Sequence, residues 1–271
     1  MNKIMSFMMM IILTSVISCD KKKTSHPKDN GTHTSDKGHQ NKGHTKKAHW
    51  SYEGDNGPSH WGTLAKMFTM CSKGRQQSPI DVTGATDSPS LPSLEFNYKA
   101  TPLKIKNNGH TVQLDYQEGS YLKIGDQTYQ LLQFHFHSPS EHTLNGKSFA
   151  MEAHLVHRNK LGQLAVVGLF IKKGAENPFI KKLWKHLPKT KGVVNEAKDL
   201  VNVLNALPKK KSYYSYSGSL TTPPCSEGVK WMILETPMEL SEQQIAAFKA
   251  VFSGTARPVQ PLNKRKLVLK K

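Results

Sequence analysis

Across 271 residues this chain has only three cysteines, and no two of them stand at CxxC spacing. That excludes zinc knuckles, zinc ribbons and cysteine-based redox motifs. No window approaches the ~20 apolar residues of a membrane-spanning helix except at the extreme N-terminus, which excludes a polytopic membrane protein. Acidic residues are also scarce, 20 against 38 Lys and Arg, for a net charge of +18. A charge of that size first suggests an anionic partner. Its distribution argues otherwise. Residues 21–49 hold +6, and the 29 basic and 17 acidic residues beyond them are spread along the chain. There is no RGG run, recognition-helix signature or internal repeat, so no nucleic-acid partner is expected.

The N-terminus reads as an export signal. Lys3 gives a short positive region and Ile4–Ile17 a mostly apolar stretch too short to span a bilayer. Val16-Ile17-Ser18-Cys19 resembles a bacterial lipoprotein box, with residues 1–18 removed and Cys19 lipidated. Residues 19–49 then carry Lys, His, Gly, Ser and Thr with Ala48 as the sole aliphatic, so they cannot bury a face and read as a flexible tether. Such a tether would hold a following domain about 30 Å from the lipid. Its histidines (His26, His33, His39, His44, His49) have irregular spacing and no preformed metal geometry. Two cysteines remain. Cys71 and Cys225 form an even pair in an exported chain, which reads as one disulfide. Closing so long a loop stabilises by at most about 5 kcal/mol on the chain-entropy account.

From residue 50 to residue 271 strand-like alternation dominates. Expected strands are Leu103–Asn107, Thr111–Tyr116, Tyr129–His137, Phe149–His157, Leu164–Ile171 and Val229–Glu235. Asn108-Gly109 and Asn145-Gly146 are turn signals. Ser241–Gln244 is a capping-box start with Ile245, Phe248 and Val251/Phe252 on one face, and Phe179–Leu187 and Glu196–Leu207 are weaker helical segments. The fold class expected is α+β and β-dominated, with a large, mostly antiparallel twisted sheet and short peripheral helices.

Chemistry concentrates in Gln133-Phe134-His135-Phe136-His137. Residues two apart on a strand share a face, so Gln133, His135 and His137 point one way while Phe134 and Phe136 point the other. Two imidazoles about 7 Å apart along a strand can share one metal ion if a neighbouring strand adds a third ligand. Glu152-Ala153-His154-Leu155-Val156-His157 offers it. His142 and His157 compete for that place but read as structural, the first lying in the connector and the second out of phase with Val156.

The segments QFHFHSPSEH (133–142), AMEAHLVH (150–157), YSGSLTTPPCSEGVKW (216–231), NNGH (107–110), WSYEGDNGPSHW (50–61), GRQQSPID (74–81) and RPVQPL (257–262) together resemble an alpha-class carbonic anhydrase of the exported bacterial kind. The resemblance runs in order from about His49 to Lys271. It implies reversible hydration of carbon dioxide to bicarbonate and a proton by a zinc-bound hydroxide. His135, His137 and His154 would hold Zn²⁺, with Gln133 and Glu152 orienting ligand imidazoles. The Thr221 hydroxyl would accept from the hydroxide and donate to Glu141. Val156, Val166, Leu220, Val229 and Trp231 would form the CO₂ pocket with Thr222 at its edge. His110 would carry protons out, along a water network ordered by Tyr52, Asn108, Gln113 and Thr222. Cys71 and Cys225 match the disulfide of exported members, bracing the Thr221 loop. The partners implied are CO₂/bicarbonate and, through the lipid anchor, a membrane of the cell envelope, with a homodimer left open. Non-catalytic modules on the same fold usually lack a ligand histidine; all three are kept here. Around Thr255-Ala256 no side-chain role carries over.

Lipidation at Cys19 predicts that the protein fractionates with membranes and that Cys19→Ser releases it. A wild-type chain recovered soluble with an unmodified thiol would contradict the anchor.

Overall fold

The computed structural model describes residues 49–271; the expected export signal, Cys19 and the tether up to Ala48 lie outside the described residues. Nine strands make up most of the sheet that carries the site, here β1 Thr101–Asn107, β2 Val112–Asp115, β3 Gln127–His137, β4 Met151–Arg158, β5 Leu164–Lys173, β6 Val194–Val201, β7 Tyr213–Ser219, β8 Glu227–Leu240 and β9 Val268–Lys270. They run through a twelve-stranded sheet in the order β6-β1-β2-β3-β4-β5-β8-β7-β9. Only β5–β8 and the pairing of β9 with Thr86–Asp87 are parallel, so the sheet is mostly antiparallel, as expected.

The sheet is covered on both faces, and alternation sorts its side chains. Leu103, Ile105, Leu114, Phe134, Phe136, Leu155, Val167 and Leu169 enter one core. Helices α1 (Pro178–Trp184) and α2 (Glu242–Lys249) close it with Phe179, Ile180, Leu183 and Phe248. On the opposite face Val166, Phe170, Val229, Trp231 and Ile233 pack with Ile80 and Val82. That second face is the one to which Gln133, His135, His137 and His154 belong.

α2 begins as its sequence indicates: Ser241 accepts from the Gln244 N–H while Gln244 reaches back to the Ser241 N–H, a complete capping box. α1 is capped by the Asn177 side chain, with Pro178 at its first position. The helix expected at Glu196–Leu207 does not form. Its first half is β6, an edge strand paired with β1, and its second half is a short 3-10 turn, Val203–Ala206, capped by Asn202. Pairing along β1 satisfies the backbone, and that tertiary gain overrides a weak helical pattern. β7 was not anticipated at all, because Tyr213-Tyr214-Ser215-Tyr216-Ser217-Gly218-Ser219 offers little aliphatic alternation.

His157 is buried on the first core's side, past a register shift after Val156. Its Nδ1 lies 3.2 Å from the Ala165 carbonyl and its Nε2 2.6 Å from the Tyr98 hydroxyl. Donation from Nδ1 and acceptance at Nε2 define one neutral tautomer, so the residue is structural, as its phase suggested. Burial lowers its pKa to about 4, against the hydrogen bonds to backbone carbonyls. A folded pKa below the unfolded one means that the unfolded chain binds the extra proton. The stabilisation is therefore complete above pH ~6.5 and is lost as the pH falls towards 4, by about 3 kcal/mol in total. Urea titrations between pH 7 and 4.5 should show this loss, with a shallower dependence in His157→Gln; equal pH dependences would contradict it.

Candidate active site

β2, β3 and β4 are consecutive neighbours, so their outward residues share one patch. His154 stands directly opposite His135 in the β3–β4 register, and Glu152 opposite His137. The three imidazole centroids are 5.0, 5.3 and 4.7 Å apart, and one ligand atom from each lies within 4.8 Å of the others. The strand arithmetic thus delivers the cluster it implied.

Each ring is held by its outer nitrogen, and each by a different kind of partner. Gln133 Oε1 accepts from His135 Nδ1 at 2.9 Å, the Thr255 carbonyl from His137 Nδ1 at 2.7 Å, and Glu152 Oε1 from His154 Nε2 at 2.9 Å. The inner nitrogens, Nε2 of His135 and His137 and Nδ1 of His154, make no hydrogen bond among the described residues, and His137 Nε2 is a fully buried orphan. Orphaned buried nitrogens are costly unless something occupies the space between them. Three converging imidazoles with fixed tautomers are the donor set of a zinc site with one open position. Burial, with the neighbouring His137 and His154 adding to it, holds His135 well below the usual histidine range, and burial lowers His137 as well. Both rings are therefore neutral and their lone pairs free. Burial works the same way on His154, but the Glu152 charge and hydrogen bond, with Glu141 behind them, leave it raised.

Glu152 is the hub. Its Oε1 also accepts from His142 Nδ1 at 2.8 Å, and its Oε2 from the backbone N–H groups of Glu141 and His142 at 2.9 and 2.8 Å. Four donors fill a carboxylate's acceptor sites. Burial would raise its pKa, but His142 and His154 hold it well below the usual range. An ionised Glu152 only accepts, so His142 Nδ1 donates and its Nε2 accepts from the Tyr216 hydroxyl at 2.7 Å. Tyr216 in turn accepts from Ser78 Oγ at 2.7 Å, and Ser78 Oγ from the Ser219 N–H at 3.0 Å. His142 is structural, as expected. The alternative grouping of His142, Glu152 and His154 is already closed by these bonds. Glycines make room for the network: a Cβ on Gly168 would sit 3.1 Å from Glu152 Oε1, and one on Gly218 only 2.2 Å from Ser78 Oγ.

Above the cluster lies a cavity of about 140 Å³ lined by Trp50, Tyr52, Asn108, His110, Thr111, Gln113, Gln133, His135, His137 and Thr222. Every residue assigned to the water network lies on it. Asn108 Oδ1 accepts from the His110 and Thr111 N–H groups, and its Nδ2 donates to Gln113 Oε1 at 3.3 Å. Gly109, at φ +87°, makes the turn that presents His110. The His110 ring stacks on Trp50, with centroids 3.7 Å apart and planes 9° off parallel. There burial, then the charges of Lys191 and His49, push its pKa down to about 4. Burial, then the Glu141 charge, raises Tyr52 well above its ordinary value, and its hydroxyl has no partner.

The apolar residues expected to form a pocket do meet. Val166, Val229 and Trp231 are buried together with Val156 and Leu220 packed on them, and the Trp231 ring lies 4.9 Å from His154. Cys71 and Cys225 are bonded, with Cα atoms 5.0 Å apart. One implied contact is not made. Thr221 is buried, but no hydrogen bond joins it to Glu141 among the described residues. The Glu141 carboxylate turns instead so that Oε1 accepts from the Arg257 N–H at 3.0 Å. Its Oε2 stands 3.4 Å from His137 Nε2 and 3.8 Å from His154 Nδ1. Neither that oxygen nor His137 Nε2 has a hydrogen-bond partner among the described residues.

A large twisted sheet carrying three histidines of adjacent strands beneath a small hollow is the arrangement that the sequence resemblance to the alpha-class carbonic anhydrases implies. The family model described as eukaryotic-type carbonic anhydrase matches residues 56–271. The carbonic anhydrase of a Nostoc species is 47% identical over 228 residues, covering 82% of this chain and 86% of that protein. The complex of the alpha-carbonic anhydrase from Thermovibrio ammonificans with the inhibitor sulfanilamide superposes with a TM-score of 0.80 at 42% identity, over 82% of this chain and 99% of that one. A hyperthermostable carbonic anhydrase identified from an active hydrothermal vent chimney gives 0.79 at 48%, over 82% and 100%. The chain therefore belongs to the eukaryotic-type carbonic anhydrase family and is an enzyme of that class.

Sequence reasoning missed Thr255, Arg257, Ser78, Tyr216 and Gly168. Thr255 and Arg257 touch His137 and Glu141 through backbone groups, which leave no signal in side-chain type. The hub yields a direct expectation. Glu152→Gln places an amide against four donors and should weaken Zn²⁺ affinity about 10–100-fold, the usual scale for losing a ligand's hydrogen-bonded partner. Competition with a chromophoric chelator measures it, and unchanged affinity would remove Glu152 from the site.

Proposed function

We propose that this chain hydrates carbon dioxide reversibly at a zinc ion held by Nε2 of His135, Nε2 of His137 and Nδ1 of His154, with its proton leaving by way of His110. The observation that carries the reading is the trio of inner nitrogens without protein partners, each ring fixed from behind. Zinc, when bound, supplies a Lewis acid that makes hydroxide available from water near neutral pH, an effect of which this enzyme class is the standard example.

The protein's own contribution divides by side. Val156, Val166, Leu220, Val229 and Trp231 offer an uncharged, apolar substrate a surface that binds no water. Glu141 Oε2, buried without a partner, is the acceptor open to the Thr221 hydroxyl. A hydroxyl committed to donate there can only accept from the attacking oxygen, which aims a lone pair at the carbon of CO₂. Addition of that oxygen gives bicarbonate and leaves one proton to export. Tyr52, Asn108, Gln113 and Thr222 line the path. Stacked on Trp50, a ring with pKa about 4 holds no proton at pH 7. Shuttling therefore requires His110 to swing off Trp50 into water, where an ordinary pKa of about 6.5 suits the task. The lipoprotein box and the disulfide pair support a chain anchored through Cys19 at the cell envelope.

Stopped-flow CO₂ hydration with and without a zinc chelator tests the whole reading. A rate indifferent to chelation would overturn it. Thr221→Ala should slow hydration roughly 10²-fold with zinc retained. His110→Ala should lower the maximal rate in weak buffer, leave CO₂/bicarbonate exchange nearly intact, and recover with concentrated imidazole. A wild-type rate in either variant removes that residue's role.

A further inference from the structure

The segment after α2 reaches the site twice, both times through its main chain. The Thr255 carbonyl holds His137 Nδ1, and the Arg257 N–H gives the Glu141 carboxylate its one hydrogen bond among the described residues. Thr255 is itself laced to β3's end, its N–H donating to the Ser138 carbonyl at 3.0 Å and its Oγ1 accepting from the Ser138 N–H at 3.0 Å. What fixes the segment from the other side is the Arg257 side chain. It is 2% exposed, with Nη1 donating to Gln77 Oε1 at 2.9 Å and the Ser78 carbonyl at 2.8 Å, and Nη2 to the Cys71 carbonyl at 2.8 Å. Its guanidinium also lies 5.8 Å from the Trp61 ring centre.

None of those acceptors is an anion. A buried guanidinium bonded only to neutral groups is an expensive way to fill space, and an apolar side chain would do that with less desolvation. Its three hydrogen bonds, held in one rigid plane, do what an apolar side chain cannot: they lock three separate backbone segments in one geometry. Those segments are the short helix Met70–Lys73, the Gln77–Ser78 loop and the chain that orients His137 and Glu141. Gln77 extends the lock, its Nε2 donating to the Cys225 carbonyl at 3.1 Å, four residues beyond Thr221.

We propose that Arg257 is a positioning residue for CO₂ hydration, its guanidinium fixing the main-chain carbonyl and N–H that aim His137 and Glu141 from a base braced by the Cys71–Cys225 bond. This rests on the three-histidine reading above, and the test separates the two. The first readout needs neither zinc nor activity: the Nδ1–H resonance of His137 in ¹⁵N-labelled, zinc-free protein. In Arg257→Met, which keeps the length and removes every donor, that signal should shift or exchange with solvent faster. In the zinc-loaded protein, zinc should dissociate about tenfold faster. The kcat should fall about 10–100-fold with KM little changed and an altered pH profile, because the loss lies in orientation and not in substrate binding. Arg257→Lys, which can still reach one or two carbonyls, should recover part of each effect.

A folded Arg257→Met with a wild-type His137 signal, zinc release and pH profile would overturn the proposal. If that variant does not fold, Gln77→Leu, which removes one acceptor and leaves the Cys71 and Ser78 carbonyls, should move the same readouts less far; wild-type behaviour there would overturn it equally. A wild-type chain without hydration activity would instead sink the functional reading, while the His137 signal would still judge Arg257.

Discussion

A single buried anion organises the centre of this protein. Glu152 has no solvent, and it remains ionised because four N–H groups converge on it: one from His154, two from His142 and one from the Glu141 backbone. Each donor belongs to a different task. The His154 bond sets that ring's tautomer, the His142 ring carries the polarity out through Tyr216 and Ser78 to the base of the Thr221 loop, and the Glu141 N–H places the acidic side chain beside the histidines. A carboxylate buried without all four would cost several kcal/mol, so the network is either complete or worse than an apolar core. That condition explains the glycines at Gly168 and Gly218, where any Cβ would crowd an oxygen of the network.

Around that anion the proposed reaction divides its two partners. Carbon dioxide, which carries no charge, would gain from the apolar cluster beside His154, where Trp231 packs with the valines. The proton would leave on the polar side, where Tyr52, Asn108, Gln113 and Thr222 face the cavity. His110 stands at the end of that side, stacked on Trp50, where burial lowers its pKa to about 4; the proposed shuttle would need the ring to leave that stack.

The periphery serves the same end. The disulfide closes a 154-residue loop and lies in a small cluster with Trp61 and Phe68, against which Trp50 and Tyr52 pack. Arg257 and Gln77 then connect its two halves by hydrogen bonds to Cys71 and Cys225. The brace thus touches the Thr221 loop, the cavity wall and the support of His137 at once.

The sequence by itself determined the ligand strands. Alternation in Gln133–His137 and Glu152–His157 placed three histidines and two orienting side chains on one face, because a strand's period of two admits no other arrangement once one face is apolar. It also determined the capped start of α2 and the pairing of two distant cysteines. The tertiary structure decided the rest. Val194–Val201 became a strand because β1 needed an edge partner, which no local pattern records. Thr255 and Arg257 entered the site through a carbonyl and an N–H that every residue possesses. The placement of the Glu141 carboxylate, between the Arg257 N–H and the histidines and without a hydrogen bond to Thr221, depends on where those groups fall in space. Side-chain type is written in the sequence, but backbone donors and acceptors are the same at nearly every position, and only the fold decides which of them meet.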